Sequence, residues 1–177
     1  HSWLMRFLQH RIADKRLLHL IERTIKAGVV DEGRYAKTVV GTPQEAVISP
    51  LLANNYLHYV LDLWANQWRK RKASGECYTV RYADDTVLGF QYRAVGERFN
   101  AAFEKRLGIF GLELNRSKTK LLEFGRFAAS NRRQRQQGKP ECFVFLGLTH
   151  ICSTRRSDGG FAVKRITSAK KMTAKLK

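Results

Sequence analysis

Acid is what this sequence is short of: 15 Asp and Glu stand against 33 Lys and Arg in 177 residues, a formal charge of +18 and an isoelectric point near 10.3. Such an imbalance implies a polyanionic partner. Cysteine is scarce as well. Cys77, Cys142 and Cys152 leave one thiol over and show no C-x-x-C spacing, which excludes a disulfide scaffold and a zinc knuckle and fits a reducing compartment. His150 and Cys152 lie two apart but have no companions that would make them metal ligands. No apolar run approaches the roughly 18 residues of a membrane span, so no membrane partner is expected. An initiator Met and a signal peptide are also missing, and the Lys-rich end reads as an unfinished helix, so the chain is expected to be a fragment.

With 44% hydrophobic residues, enough apolar material remains for one modest core. Helical spacing predicts a short helix over 2–12, then a second capped by Asp14, with Leu17, Leu18, Ile21 and Ile25 on one face and Gly28 as its stop. An extended segment follows over 34–40. Ser49 and Pro50 make a strong helix start, and Leu51, Tyr56, Leu57, Val60, Leu61, Trp64 and Trp68 carry an apolar face through five turns. Another helix is expected over 95–110, with Phe99, Phe103 and Leu107 inward and Gly111 ending it. Strands are expected over 112–115 and 119–124. Residues 126–140 turn to Arg, Gln, Asn and Gly and read as a loop; 142–151 and 161–166 read as a hairpin joined through Ser157-Asp158-Gly159-Gly160.

The few acids are not evenly spread. Asp84 and Asp85 sit side by side between two runs of strand formers, 77–82 and 86–91, and so fall at a hairpin turn. Like charges repel, and a turn needs only one small polar residue, so stability alone does not explain the pair. A divalent cation would remove the repulsion. Oxygen ligands suit Mg²⁺ or Mn²⁺ held together with substrate phosphates, which points to nucleotidyl transfer; the alternative is a solvated Asp-Asp turn. A two-metal site needs carboxylates from more than one stretch of backbone. Asp62 is a conceivable third, but on the middle of the long helix it is expected to face solvent. The order helix, strand, acidic turn, strand, helix, strand is that of an α+β, ferredoxin-like unit whose first strand lies outside the sequence.

Four signatures then stand in order: Gly41-Thr42-Pro43-Gln44 leading to Ser49-Pro50-Leu51-Leu52-Ala53-Asn54, Tyr82-Ala83-Asp84-Asp85, Gly111-Leu112-Glu113-Leu114-Asn115 with Lys118, and Phe145-Leu146-Gly147. Together they resemble bacterial group II intron-encoded reverse transcriptases over nearly the whole chain. The resemblance implies a polymerase palm beginning after the family's first catalytic motif, whose Asp and sugar-screening aromatic are absent here, and ending at a thumb, or maturase, helix. It implies segments 1–48 (lead-in), 49–125 (palm core), 126–165 (basic loop and primer-grip-like hairpin) and 166–177 (start of the thumb), and a bacterial cytoplasmic location. Many relatives carry Gly after the Pro-Gln pair, where this chain has Glu45.

The implied roles can be stated residue by residue. Asp84 is the metal ligand and Asp85 its second ligand or supporter. Tyr82 flanks the turn, either as a buried aromatic or against the primer end, and Pro43 and Gln44 line the nucleotide and template pocket. Lys118 protonates or neutralises pyrophosphate, or is a plain surface lysine. Phe145, Leu146 and Gly147 form the primer grip or ordinary strand packing. Phosphate contacts are expected from Arg126, Arg132, Arg133, Arg135 and Lys139, and from Lys164 and Arg165 in the basic C-terminal stretch. Partners would be an RNA template, a DNA primer, deoxynucleoside triphosphates and intron RNA. Three functions fit: an intron-mobility polymerase with maturase activity, a related reverse transcriptase in CRISPR adaptation or phage defence, or a non-catalytic RNA-binding module, against which the retained acids argue. Lacking a third carboxylate, the chain alone is expected to be inactive.

Overall fold

The protein is described from a computed structural model, which covers residues 1–27, 29–31, 34–36 and 48–168. It divides into two compact units, His1–Glu113 and Leu114–Lys177.

The first unit opens with α1 (Ser2–Gln9) and α2 (Lys15–Lys26). Asp14 caps α2 as its sequence position demands, its carboxylate accepting from the Arg16 N–H at 2.8 Å. Leu18, Ile21 and Ile25 turn inward and pack with Leu4, Leu8 and Leu52, whereas Leu17, expected on the same face, lies exposed. Two short strands, β1 (Val29–Asp31) and β2 (Arg34–Ala36), pair antiparallel. Gly28, the expected stop, and the rest of the extended stretch fall outside the described residues.

The long helix is not one helix. It runs as α3 (Ser49–Leu57), a π-turn over His58–Asp62 and α4 (Leu63–Lys72). At the π-turn the Leu63 N–H reaches back five residues to the His58 carbonyl, so one extra residue is absorbed without breaking the helix. Arg106 supports this turn, donating to the carbonyls of Val60 at 3.2 Å and Tyr59 at 3.3 Å while its guanidinium lies over the Phe110 ring. Leu52, Val60, Leu61 and Ala65 are buried; Leu51 is exposed, contrary to the apolar face read from uniform helical spacing.

A hairpin follows, β3 (Cys77–Tyr82) and β4 (Asp85–Phe90), in a register that sets Tyr82 opposite Asp85. Next comes α5 (Arg93–Ile109), ended by Gly111 at φ 66° with the Leu112 N–H on the Leu107 carbonyl and the Gly111 N–H on that of Gly108, the hydrogen-bond pair of a glycine C-cap. Phe99 is the centre of this half of the core. Its ring meets Trp64, Trp68, Phe90 and Phe103 at centroid distances of 5.0–5.8 Å.

The second unit departs from the sequence reading at three places. Neither 112–115 nor 119–124 pairs as a strand: Asn115 accepts from Ser117, Lys118 and Thr119 and closes a turn between them, which removes the backbone groups a ladder would use. The expected loop contains α6 (Ala128–Gln134), since Ala, Gln and Arg are good helix formers and the buried Ala128 anchors the helix. The final hairpin is a three-stranded antiparallel sheet of β5 (Phe143–Phe145), β6 (Leu148–Thr154) and β7 (Phe161–Thr167), in that order. Ile166 and Thr167, expected to open a helix, continue β7, and residues 169–177 lie outside the description. The fold is thus mixed helix and strand. Among the described residues the acidic hairpin stands as a two-stranded sheet, not joined to further strands of a ferredoxin-like palm.

Replacing Phe99 by Ala would remove the ring that four aromatic neighbours share, and is expected to destabilise the first unit by about 3–5 kcal/mol. Urea unfolding followed by tryptophan fluorescence, which reads Trp64 and Trp68 directly, measures it.

Candidate active site

The β3–β4 hairpin has two faces, because side chains alternate along each strand. Cys77, Arg81 and Phe90 point towards the helices: Cys77 is buried, Phe90 meets Phe99, and Arg81 reaches α3 and the π-turn. The other face carries Tyr78, Val80 and Tyr82 on β3, all more than half exposed, with Asp85 and Val87 paired to the last two. Asp85 therefore shares the open face with Tyr82, and Asp84 occupies the turn beside it. Both carboxylates are exposed, and neither has a hydrogen-bond or ionic partner among the described residues.

The turn itself is tight. Residues 83 and 84 alone join the strands, and Ala83 takes φ 52°, a left-handed conformation that costs an alanine roughly 1–2 kcal/mol. Arg81 holds it there. One guanidinium nitrogen donates to the Ala83 carbonyl and to Asn54 Oδ1, both at 2.8 Å; the others form a two-pronged pair with Asp62, Nε to Oδ1 at 2.8 Å and Nη2 to Oδ2 at 2.7 Å. Asp62, expected to face solvent as a conceivable third acid, is instead committed to Arg81, because the π-turn rotates it toward the hairpin. Burial pushes the Asp62 carboxyl up, but the Arg81 guanidinium and, more weakly, His58 at 3.5 Å outweigh it and hold the carboxyl below its ordinary range. Arg81 in turn is stabilised in its charged form by the Asp62 hydrogen bond. Sequence reasoning missed Arg81, although an arginine three residues before an acid pair, on the strand face opposite Tyr82, was a signal.

The donor set at the turn is two hard oxygen ligands, which suits Mg²⁺ or Mn²⁺ completed by water and phosphate oxygens. Among the described residues no third His, Cys, Asp or Glu gathers with them. Pro43 and Gln44 lie outside the described residues. Lys118 is exposed in the turn that Asn115 closes, in the second unit.

The basic candidates of the second unit differ in their commitments. Arg135 is paired with Glu123, and Arg132 donates to the Gly138 carbonyl at 3.0 Å and faces Glu141 at 3.8 Å. These two arginines fold the segment. Arg126, Arg133, Lys139, Lys164 and Arg165 are exposed and have no such partner among the described residues. Leu146 and Gly147, both at positive φ, form the two-residue turn between β5 and β6, with Phe145 paired to Leu148 and the Gly147 carbonyl accepting from the Ser168 N–H.

Residues 1–150 match the family model of the reverse transcriptase (RNA-dependent DNA polymerase). Protein YkfC of Escherichia coli (strain K12) is 34% identical over 154 residues, 68% of this chain and 39% of that protein. The group II intron-encoded protein LtrA of Lactococcus lactis subsp. cremoris is 43% identical over 58 residues, 33% of this chain and 10% of its own length. The "Uncharacterized 91 kDa protein in cob intron" of Schizosaccharomyces pombe is 45% identical over 58 residues, 33% of this chain and 7% of that protein. The chain thus spans under two fifths of the length of these relatives.

A depressed Asp62 pKa stabilises the fold fully above the ordinary carboxylate value, about 3.9, and the contribution is lost as pH falls through the folded value. Asp62→Asn is therefore expected to cost on the order of 1 kcal/mol near neutral pH, since the pair is partly solvated, and the cost should shrink as pH falls below the ordinary carboxylate value and vanish below the folded one. Thermal melts of both proteins across that range check it; a difference independent of pH would remove the ion pair from the account.

Proposed function

Because the chain belongs to the reverse transcriptase family of RNA-dependent DNA polymerases, we propose that it supplies the palm of an RNA-directed DNA polymerase encoded within a group II intron, joining deoxynucleotides to a DNA primer on an RNA template by two-metal nucleotidyl transfer in support of intron mobility and splicing. The observation that carries this reading is the unpartnered Asp84–Asp85 pair at the tip of a hairpin pinned to its helix by Arg81. In a chain of charge +18, two acids that no cation of the described residues neutralises are held ready for a ligand. The relatives named for introns favour the intron setting over other reverse transcriptase roles.

Bound Mg²⁺ or Mn²⁺ would neutralise charge on the phosphates and lower the pKa of the primer hydroxyl. Asp84 would hold the cation, with Asp85 as second ligand. The third carboxylate comes from backbone other than the described residues. Tyr82, on the same open face as Asp85, packs against the primer end. In the reaction the primer 3′ hydroxyl gives its proton to solvent water as its oxygen bonds the α-phosphorus, the bond to pyrophosphate breaks, and the Lys118 ammonium gives a proton to the departing pyrophosphate. Pro43 and Gln44 line the nucleotide pocket, and the 145–147 turn grips the primer. The exposed cations of the second unit, Arg126, Arg133, Lys139, Lys164 and Arg165, bind phosphates of the template and of intron RNA without reading bases.

In the protein as its gene encodes it, Asp84→Ala is expected to lower primer extension on a poly(rA) template by at least roughly 10²-fold, the scale on which one strong electrostatic contributor is lost, with RNA binding within a few-fold. Equal activity would remove Asp84 from the site.

Binding should report the second unit's division of labour. Arg126→Ala and Arg133→Ala are each expected to flatten the slope of log affinity against log salt by about 0.7 for single-stranded RNA, with the melting temperature unchanged. Arg135→Ala, which removes the ionic partner of Glu123 and leaves it only the Asn131 hydrogen bond, should lower the melting temperature instead. Filter binding over a salt series and melts of the same samples separate the two outcomes.

A further inference from the structure

The geometry points to Arg81 as a positioning residue for the carboxylate turn, and to the π-turn over His58–Asp62 as the device that lets it act. On an unbroken α-helix Asn54 and Asp62, eight residues apart, would diverge by about 80° around the axis; one residue absorbed by a π-turn reduces that to about 20°. Both side chains then converge on one guanidinium. Three anchors fix its plane, and a fourth N–H donates to the carbonyl of Ala83, the residue that carries the turn's positive φ. Asp84 follows Ala83 directly, so a change in the Ala83 peptide swings both carboxylates. Arg106 keeps the π-turn from reverting by donating to the carbonyls of Tyr59 and Val60. The helix register, not the strand sequence alone, thus sets where the acids point. That these acids serve a metal rests on the function proposed above; that Arg81 orders their turn does not.

The test separates positioning from simple ion pairing. In the Asp62→Arg/Arg81→Asp double variant the charge pair is restored with the signs exchanged, but a carboxylate at position 81 cannot donate to the Ala83 carbonyl. Thermal stability should recover most of what Asp62→Arg alone loses, while amide hydrogen exchange over residues 83–85, read by NMR without metal, stays at least about tenfold faster than in the wild type. Exchange that returns to wild-type rates together with stability would overturn the proposal. Arg81→Lys and Asn54→Ala guard against misfolding of the double variant: Lys cannot bridge Asp62 and Ala83 at once, and Asn54 is exposed, so both should raise exchange over 83–85, Arg81→Lys by about tenfold and Asn54→Ala by about two- to threefold, and wild-type rates in both would equally overturn it. In the protein as its gene encodes it, Arg81→Lys should lower kcat about tenfold and leave the nucleotide KM within about twofold, as loss of alignment does. A raised KM at unchanged kcat would instead make Arg81 a substrate contact and sink the positioning role, with the metal-free exchange result standing apart from whether Asp84 is catalytic.

Discussion

A guanidinium is flat, and its hydrogen-bonding directions are fixed in one plane. Arg81 uses that rigidity to tie two points of the long helix, Asn54 on α3 and Asp62 on the π-turn, to Ala83 in the acidic turn. The hairpin and the helix also meet through Phe90 and Phe99, but apolar packing has no direction and would tolerate a tilt. Direction comes from the charged plane. It is affordable because Arg81 and Asp62 are only partly withdrawn from water, so the desolvation that makes buried ion pairs expensive is incomplete here.

Charge explains a second division. With more than twice as many basic as acidic residues, each acid that pairs leaves the surplus of cations undiminished elsewhere. Glu123 and Glu141 face Arg135 and Arg132 and help shape the segment around α6. Glu123 is held below its ordinary range by the Asn131 hydrogen bond and by Arg135, so it stays ionised in that role. Among the described residues, cations stay without an acidic partner on both units, and the first unit also carries the adjacent acids Asp84 and Asp85 without a cationic one. Unpaired cations are the default of a basic chain. Two adjacent unpaired acids in such a chain are not, and this contrast is why the Asp84–Asp85 turn stands out more in the folded protein than in the sequence.

Much of this was legible beforehand where a single local rule governs. The Asp14 cap, the Gly111 stop and the acidic hairpin each follow from one residue type at one position. Readings failed where two elements had to cooperate. Uniform helical spacing cannot detect a π-turn, whose extra residue leaves no compositional trace, so Leu51 was placed inward and Asp62 outward. The polar stretch holding α6 looked like a loop because its stabilising partners, Glu123 and Glu141, lie outside it. The strands expected at 112–115 and 119–124 were lost to Asn115, whose side chain and carbonyl capture the neighbouring donors. For the site, the adjacent acids stand out from their place between two runs of strand formers, but the arginine that holds their turn becomes visible only once the helix register is known.

A scaffold that holds a turn by its backbone has a particular advantage for chemistry on anions. Had the acidic turn been fixed through its own carboxylates, every hydrogen bond to Asp84 or Asp85 would have competed with a cation for the same lone pairs. Arg81 grips the Ala83 carbonyl instead, one residue earlier, and takes its counter-charge from Asp62. The positive charge that might otherwise neutralise the acid pair is thereby satisfied on the helix side of the hairpin. The two carboxylates stay unpaired on the open side, beside Tyr82 and away from the helices. Order in the backbone and vacancy in the side chains are supplied by the same arginine.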